Sequence, residues 1–223
     1  MKKDRLKIIY EDKNIIVVDK PAKLLTIATD KVRDNTMYHK VFEYLKQKNK
    51  KNKLFIIHRL DKETSGILIF AKNERVKELF QQNWNDIAKV RNYIAVVEGV
   101  PTKDENTIQN YLIESKSFVT HSTNDKKNGK LAITSYKVFK KNKRYSMLNI
   151  EIKTGRKNQI RVHMSEMGNP IVGDKKYNSK ENPIHRMCLH ANMLKILNPI
   201  NNETMTFESK IPESFNLLFP KGE

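Results

Sequence analysis

Cysteine is almost missing. Cys188 is the one cysteine among 223 residues, so no disulfide can form within the chain, and the sequence suits a reducing compartment. No apolar run approaches the roughly 20 residues that a membrane-spanning helix requires. The opening MKKDRLKIIYEDKN lacks the apolar middle of a secretory signal. A cytoplasmic protein with no membrane contact is the expectation. Glycine is scarce too, at 7 residues, and neither GxxxxGK[ST] nor GxGxxG occurs, which excludes phosphate-loop and dinucleotide-binding readings. Acidic residues are outnumbered, 25 Asp and Glu against 43 Lys and Arg, for a formal charge of +18. Such a charge makes a polyanion the first partner to consider. The competing reading is a lysine-rich, solvated surface with no partner.

Arginine is uncommon as well, at 9 residues against 34 lysines, yet Arg59, Arg156 and Arg161 fall in two short polar stretches. A planar guanidinium holds a carboxylate or phosphate in a way that an ammonium cannot. The first stretch, HRLDKETSGILIFAK at 58–72, lies between two apolar runs, Leu54 to Ile57 and Ile67 to Phe70, with the composition of buried strands. Thr64, Ser65 and Gly66 supply turn chemistry before the second run. Asp61 is the candidate nucleophile. A structural ion pair or a turn-capping aspartate would fit the same letters.

Along the chain, Lys7 to Tyr10 and Ile15 to Asp19 read as a hairpin closed by Pro21. Helical spacing predicts a helix from Thr36 to about Gln47 and another from Glu74 to Trp84. Lys46 to Lys53 is a basic run without an apolar face, suited equally to an RNA backbone and to solvent. Lys89 to Glu98 alternates as a strand, with Tyr93, Ala95 and Val97 on one face. Strands follow at Ile108 to Glu114, Leu131 to Phe139 and Tyr145 to Lys153, whereas Ser115 to Lys130 is poor in apolar residues and reads as a mobile segment. Ile160, His163, Met164 and Met167 predict a helix over Gln159 to Met167, stopped by Gly168 and Pro170. Arg156 and Arg161 bracket the start of this helix, where an anion is favoured, either a phosphate or Asp61. Met187 to Ile196 and Thr204 to Glu208 read as paired strands, and Pro212 opens a short closing helix. His185, Cys188 and His190 have the spacing of metal ligands but no fourth donor, so no metal is expected. His58 and His163 read as hydrogen-bonded structural histidines.

HRLDKETSG, VRNYIAVVEG at 90–99 and TGRKNQIRVH at 154–163, in that order, resemble the three signature motifs of the RluA-type RNA pseudouridine synthases. The resemblance runs from about Tyr10 to Ala191. It implies an α+β fold on a mixed, largely antiparallel central sheet with flanking helices, as one catalytic domain over 1–223 with no accessory RNA-binding module ahead of it. It also implies isomerisation of uridine in ribosomal or transfer RNA, by a monomer that needs no cofactor and does not act on DNA. In that reaction the bond from ribose to the base nitrogen breaks, the uracil turns, and a bond forms to carbon five. By resemblance Asp61 is the nucleophile, Arg161 keeps it ionised, and Tyr93 takes or relays the proton from carbon five. Arg59 enters the space left by a flipped-out uridine. Leu189 lines the uracil pocket, and His58, Leu60, Thr64 and Arg156 complete the RNA and substrate contacts. Two positions depart from the pattern: Asn158, where histidine is frequent, and Asn178, where glycine is common.

Two rivals remain. A catalytically silent RNA-binding protein would not need Asp61, Tyr93 and Arg161 together. A carboxylate-dependent glycoside hydrolase would pair Asp61 with a second acid, and only Glu63 stands near it in sequence. If the excess charge is an RNA footprint, the RNA association constant falls steeply between 50 and 200 mM salt through counterion release. Filter binding over that range checks it, and a flat curve returns the charge to a solvated surface.

Overall fold

The computed structural model describes residues 6–30 and 32–220. Residues 1–5, part of the stretch read for a signal, lie outside the described residues. In chain order the elements are β1 (Ile8–Glu11), β2 (Ile15–Lys20), α1 (Met37–Lys48), β3 (Phe55–Ile56), β4 (Ser65–Ala71), α2 (Glu74–Gln82), α3 (Trp84–Ile87), β5 (Ala88–Glu98), β6 (Glu105–Glu114) and β7 (Thr120–Thr123). There follow β8 (Lys130–Lys141), β9 (Tyr145–Ile152), α4 (Gln159–Glu166), a single 3₁₀ turn (Lys175–Tyr177), β10 (Leu189–Leu197), β11 (Thr204–Glu208) and α5 (Glu213–Asn216). Strands of sheet and few helices give the α+β class that the sequence implied. None of the described helices is long and apolar enough to cross a membrane.

The chain divides into two compact units, one running to Lys89 and resumed over Ala191–Lys210, the other Val90–His190 with the chain from Ile211. In the first, β4 lies between β2 and β10, with β1 on β2, β3 on β4 and β11 on β10. All seven residues of β4 are buried, as expected of an apolar run covered on both faces. Ile67, Ile69 and Ala71 pack with Val76 and Phe80 of α2 and with Leu194, Ile196 and Phe207. From α1, Tyr38 sets its ring edge against Phe70, 6.2 Å between centroids. That helix starts as its sequence dictates, with the Thr36 hydroxyl accepting the His39 N–H. The helix expected from Glu74 to Trp84 is interrupted at Asn83, and Trp84 opens the separate turn α3.

In the second unit β5 pairs with β9, β9 with β8, β8 with β6 and β6 with β7, all antiparallel. The strand expected over Lys89 to Glu98 is present as β5; Ile94 to Val97 are all buried, so both of its faces are covered there, and Tyr93, midway along it, is half-buried. Ser115 to Lys130 is corrected here: it carries strand β7, which satisfies the edge of β6 and buries Thr120. Apolar content misled because this strand is held by main-chain pairing, not by a hydrophobic face. Asn158 and Asn178, the two departures from the motif pattern, both have positive φ, 55° and 69°. Asparagine tolerates that region best after glycine.

His163 on α4 is 1% exposed, and its Nε2 is 2.8 Å from the Asn110 side-chain oxygen. Burial pushes the imidazole down to about 4 from 6.5. Between those values the unfolded chain takes up a proton that the native state refuses, so stability falls as pH drops through this window. The full loss is about 3 kcal/mol. His163→Gln retains an amide for Asn110 and has no titration. It should lose correspondingly less stability between pH 6.5 and 4, measured by urea unfolding at each pH.

Candidate active site

In the first unit, the loop from Ile57 to Thr64 leaves β3 and returns into β4. Its path is fixed by main-chain contacts the sequence did not announce. The Thr26 hydroxyl donates to the Leu60 carbonyl at 2.8 Å and accepts the Leu60 N–H at 3.2 Å. Thr64 N–H closes the turn on the Asp61 carbonyl at 3.2 Å. Lys20, 0% exposed, donates its ammonium to the carbonyls of Leu24, Pro21 and Lys62 at 2.7, 3.0 and 3.2 Å. A buried charge is tolerated only when so solvated by dipoles. Lys20 therefore clamps both the 21–24 loop and the residue after Asp61.

Gly66, with φ +113°, follows the loop in β4, and a Cβ there would lie 2.2 Å from the Ala191 carbonyl oxygen. Glycine is required at that close approach. The result is a loop with buried Leu60 and Thr64, exposed Arg59 and half-buried His58 and Asp61. His58 is structural, as expected: its Nε2 accepts the Ile69 N–H at 3.3 Å, and its ring stacks on Trp84 with centroids 4.8 Å apart.

In the second unit, Arg161 on α4 is 8% exposed. Its Nε and Nη2 each meet an Asp174 carboxylate oxygen at 2.7 Å, and its Nη1 donates to the Asn158 side-chain oxygen at 2.8 Å. The guanidinium also lies 4.8 Å from the Tyr177 ring centroid. Asn158 donates in turn to the Tyr177 hydroxyl at 3.0 Å. Asp174, 13 residues further along the chain, was missed because nothing local links it to Arg161. Arg156 does not share this cage; its Nε donates to the Leu131 carbonyl at 2.8 Å. The approach to α4 is built on Gln159, which accepts from Thr154 and from the Arg156 N–H and donates to Ile133 and Thr134. Tyr93, opposite Ile150 in β9, packs on the apolar cluster that contains Leu189.

No three His, Cys, Asp or Glu side chains gather as metal ligands among the described residues. Cys188 is buried, and burial pushes its thiol up to about 12, which keeps it from acting as a thiolate nucleophile or ligand.

A model of the family described as RNA pseudouridylate synthase matches residues 14–166. The chain belongs to the RluA-type RNA pseudouridine synthase family. It is thus an isomerase of RNA uridine. The ribosomal large subunit pseudouridine synthase C of Rickettsia bellii is 37% identical over 94% of this chain and 69% of its own length. The RNA pseudouridine synthase YhcT of Bacillus subtilis is 30% identical over 96% of this chain and 71% of its own. The solved structure of human RNA pseudouridylate synthase domain containing 1 superposes with a TM-score of 0.75 at 23% identity, covering 93% of this chain and 84% of that one, a likeness of fold. The matched span of the synthase reaches from β2 to the end of α4 and includes Asp61, Tyr93 and Arg161.

Removing one partner of a buried, bidentate pair leaves a charge stranded. Asp174→Ala should destabilise the synthase by about 3–5 kcal/mol in urea unfolding. Adding Arg161→Met should cost less than the sum of the two single changes, the signature of direct coupling.

Proposed function

We propose that this synthase converts uridine to pseudouridine in structured RNA with Asp61 as nucleophile. The observation that carries the reading is the loop itself. A half-buried carboxylate stands on a turn flanked by buried Leu60 and Thr64, with the turn clamped by Lys20 and closed by the Thr64 N–H. Such fixing limits the reorganisation needed when the carboxylate meets developing positive charge on the sugar. Arg161 is the cation of the third motif, and its bonds to Asp174 and Asn158 suit it to a fixed position. Arg59, an exposed residue of the loop, enters the space left by a flipped-out uridine. Tyr93 stacks near the base with Leu189 and takes the proton from carbon five. Arg156 contributes to RNA contact from the third motif, while His58 supports the first through the Ile69 N–H.

Large-subunit ribosomal RNA is the first target to test, because the relative at 37% identity carries that substrate in its name; transfer RNA is the second. A monomer in the cytoplasm suffices for the reaction. The hydrolase alternative lacks support, since Glu63, the acid nearest Asp61 in sequence, is one of the two central residues of the same tight turn and not an acid brought in from another element.

Tritium at carbon five of uridine tests the roles together. Asp61→Asn should abolish tritium release, while RNA affinity and melting temperature stay near wild type. Tyr93→Phe should also release very little, with its affinity and stability retained, because only the final proton transfer is lost. Wild-type release from either variant removes that residue from its role.

A further inference from the structure

Five large apolar residues are exposed among the described residues: Val100, Phe118, Phe139, Ile200 and Leu217. Of these only Phe118 has a positive φ, 60°. For a bulky side chain that is an outlier of backbone geometry. It persists only where the surroundings enforce it, and such strain gathers at sites of function.

The surroundings of Phe118 are specific. The turn from Ser115 to Val119 joins β6 to β7 and is closed by Ser115 N–H on the Val119 carbonyl at 2.8 Å and Phe118 N–H on the Ser115 carbonyl at 2.9 Å. Val119 packs with Leu112, Ala132, Val162 and Tyr177, so the turn is anchored from below. The Lys176 ammonium donates to the Phe118 carbonyl at 3.0 Å, and the Lys157 ammonium, paired with Glu114, lies 5.6 Å from the centroid of the Phe118 ring. Phe118 itself stays 71% exposed. Lys157 belongs to the TGRKNQIRVH motif, and Lys176 lies two residues after Asp174, the partner of Arg161.

We propose that Phe118 is a stacking platform for an unpaired nucleotide base of the RNA substrate, with Lys157 and Lys176 drawing in the adjoining phosphates. A strained aromatic held out to solvent beside cations has the chemistry of single-strand recognition, in which a base stacks on the ring and the backbone meets positive charge. A base inside a duplex has no free face for it, so the platform selects RNA with an open loop or bulge. The inference rests on the RNA reading above and adds a contact outside its catalytic residues.

The test uses the full chain with the carbon-five tritiated RNA, a loop-containing fragment and a fully paired duplex of equal length. Phe118→Asn fits the positive φ without a ring, and Phe118→Trp keeps an aromatic face. Phe118→Asn should raise KM and the loop-fragment Kd roughly 10-fold, the scale of one lost base stack. Turnover at saturating RNA, the salt slope and duplex affinity should stay at wild-type values, and Phe118→Trp should bind the loop fragment as wild type does. Unchanged loop affinity in Phe118→Asn overturns the proposal, as does an equal loss on the duplex or an equal loss in Phe118→Trp. Absence of tritium release from the wild type would instead strike the catalytic reading, while loop binding still scores the platform.

Discussion

The constraint on which the first unit depends is that β4 is buried from Ser65 to Ala71. A strand covered on both faces cannot slide in register without exposing apolar side chains or leaving main-chain groups unpaired. The loop that feeds it therefore has a fixed endpoint at Thr64. Its other end is set by β3, paired through Phe55 with Ala71 and Ile56 with Phe70. Between these endpoints, Lys20 and Thr26 hold carbonyl oxygens of the loop, so the position of Asp61 follows from a hydrophobic core and two polar clamps.

Both units use the same device in different forms. Lys20 has its charge solvated by three carbonyl dipoles, and Arg161 has its charge answered by one carboxylate and one amide. Neither arrangement adds much to net stability relative to an apolar core. What each provides is a direction: a cation that can point only one way fixes the groups around it.

Most strands and helices were legible because apolar period and turn residues agree with the fold at Ile15–Lys20, Met37–Lys48 and Gln159–Glu166. The residues of the motifs were legible as a resemblance. What could not be read was long-range polar partnership. Lys20 ends a strand before Pro21 and has the letters of a solvated lysine, and Asp174 stands in a loop with no mark of its bond to Arg161. Strand β7 escaped for a related reason: Thr120–Thr123 is polar, and only its ladder with β6 makes it a strand. Phe118 gave no signal at all, since exposure and a positive φ are properties of the folded turn.

The chain contains 1 tryptophan, and Trp84 is the residue stacked on His58, three positions before Asp61. Indole emission depends on what lies against its face, so the indole signal of the unlabelled protein reports one place only. That place is the base of the loop that carries Asp61. A displacement of that loop would change the surroundings of the indole and so its emission, with no label introduced.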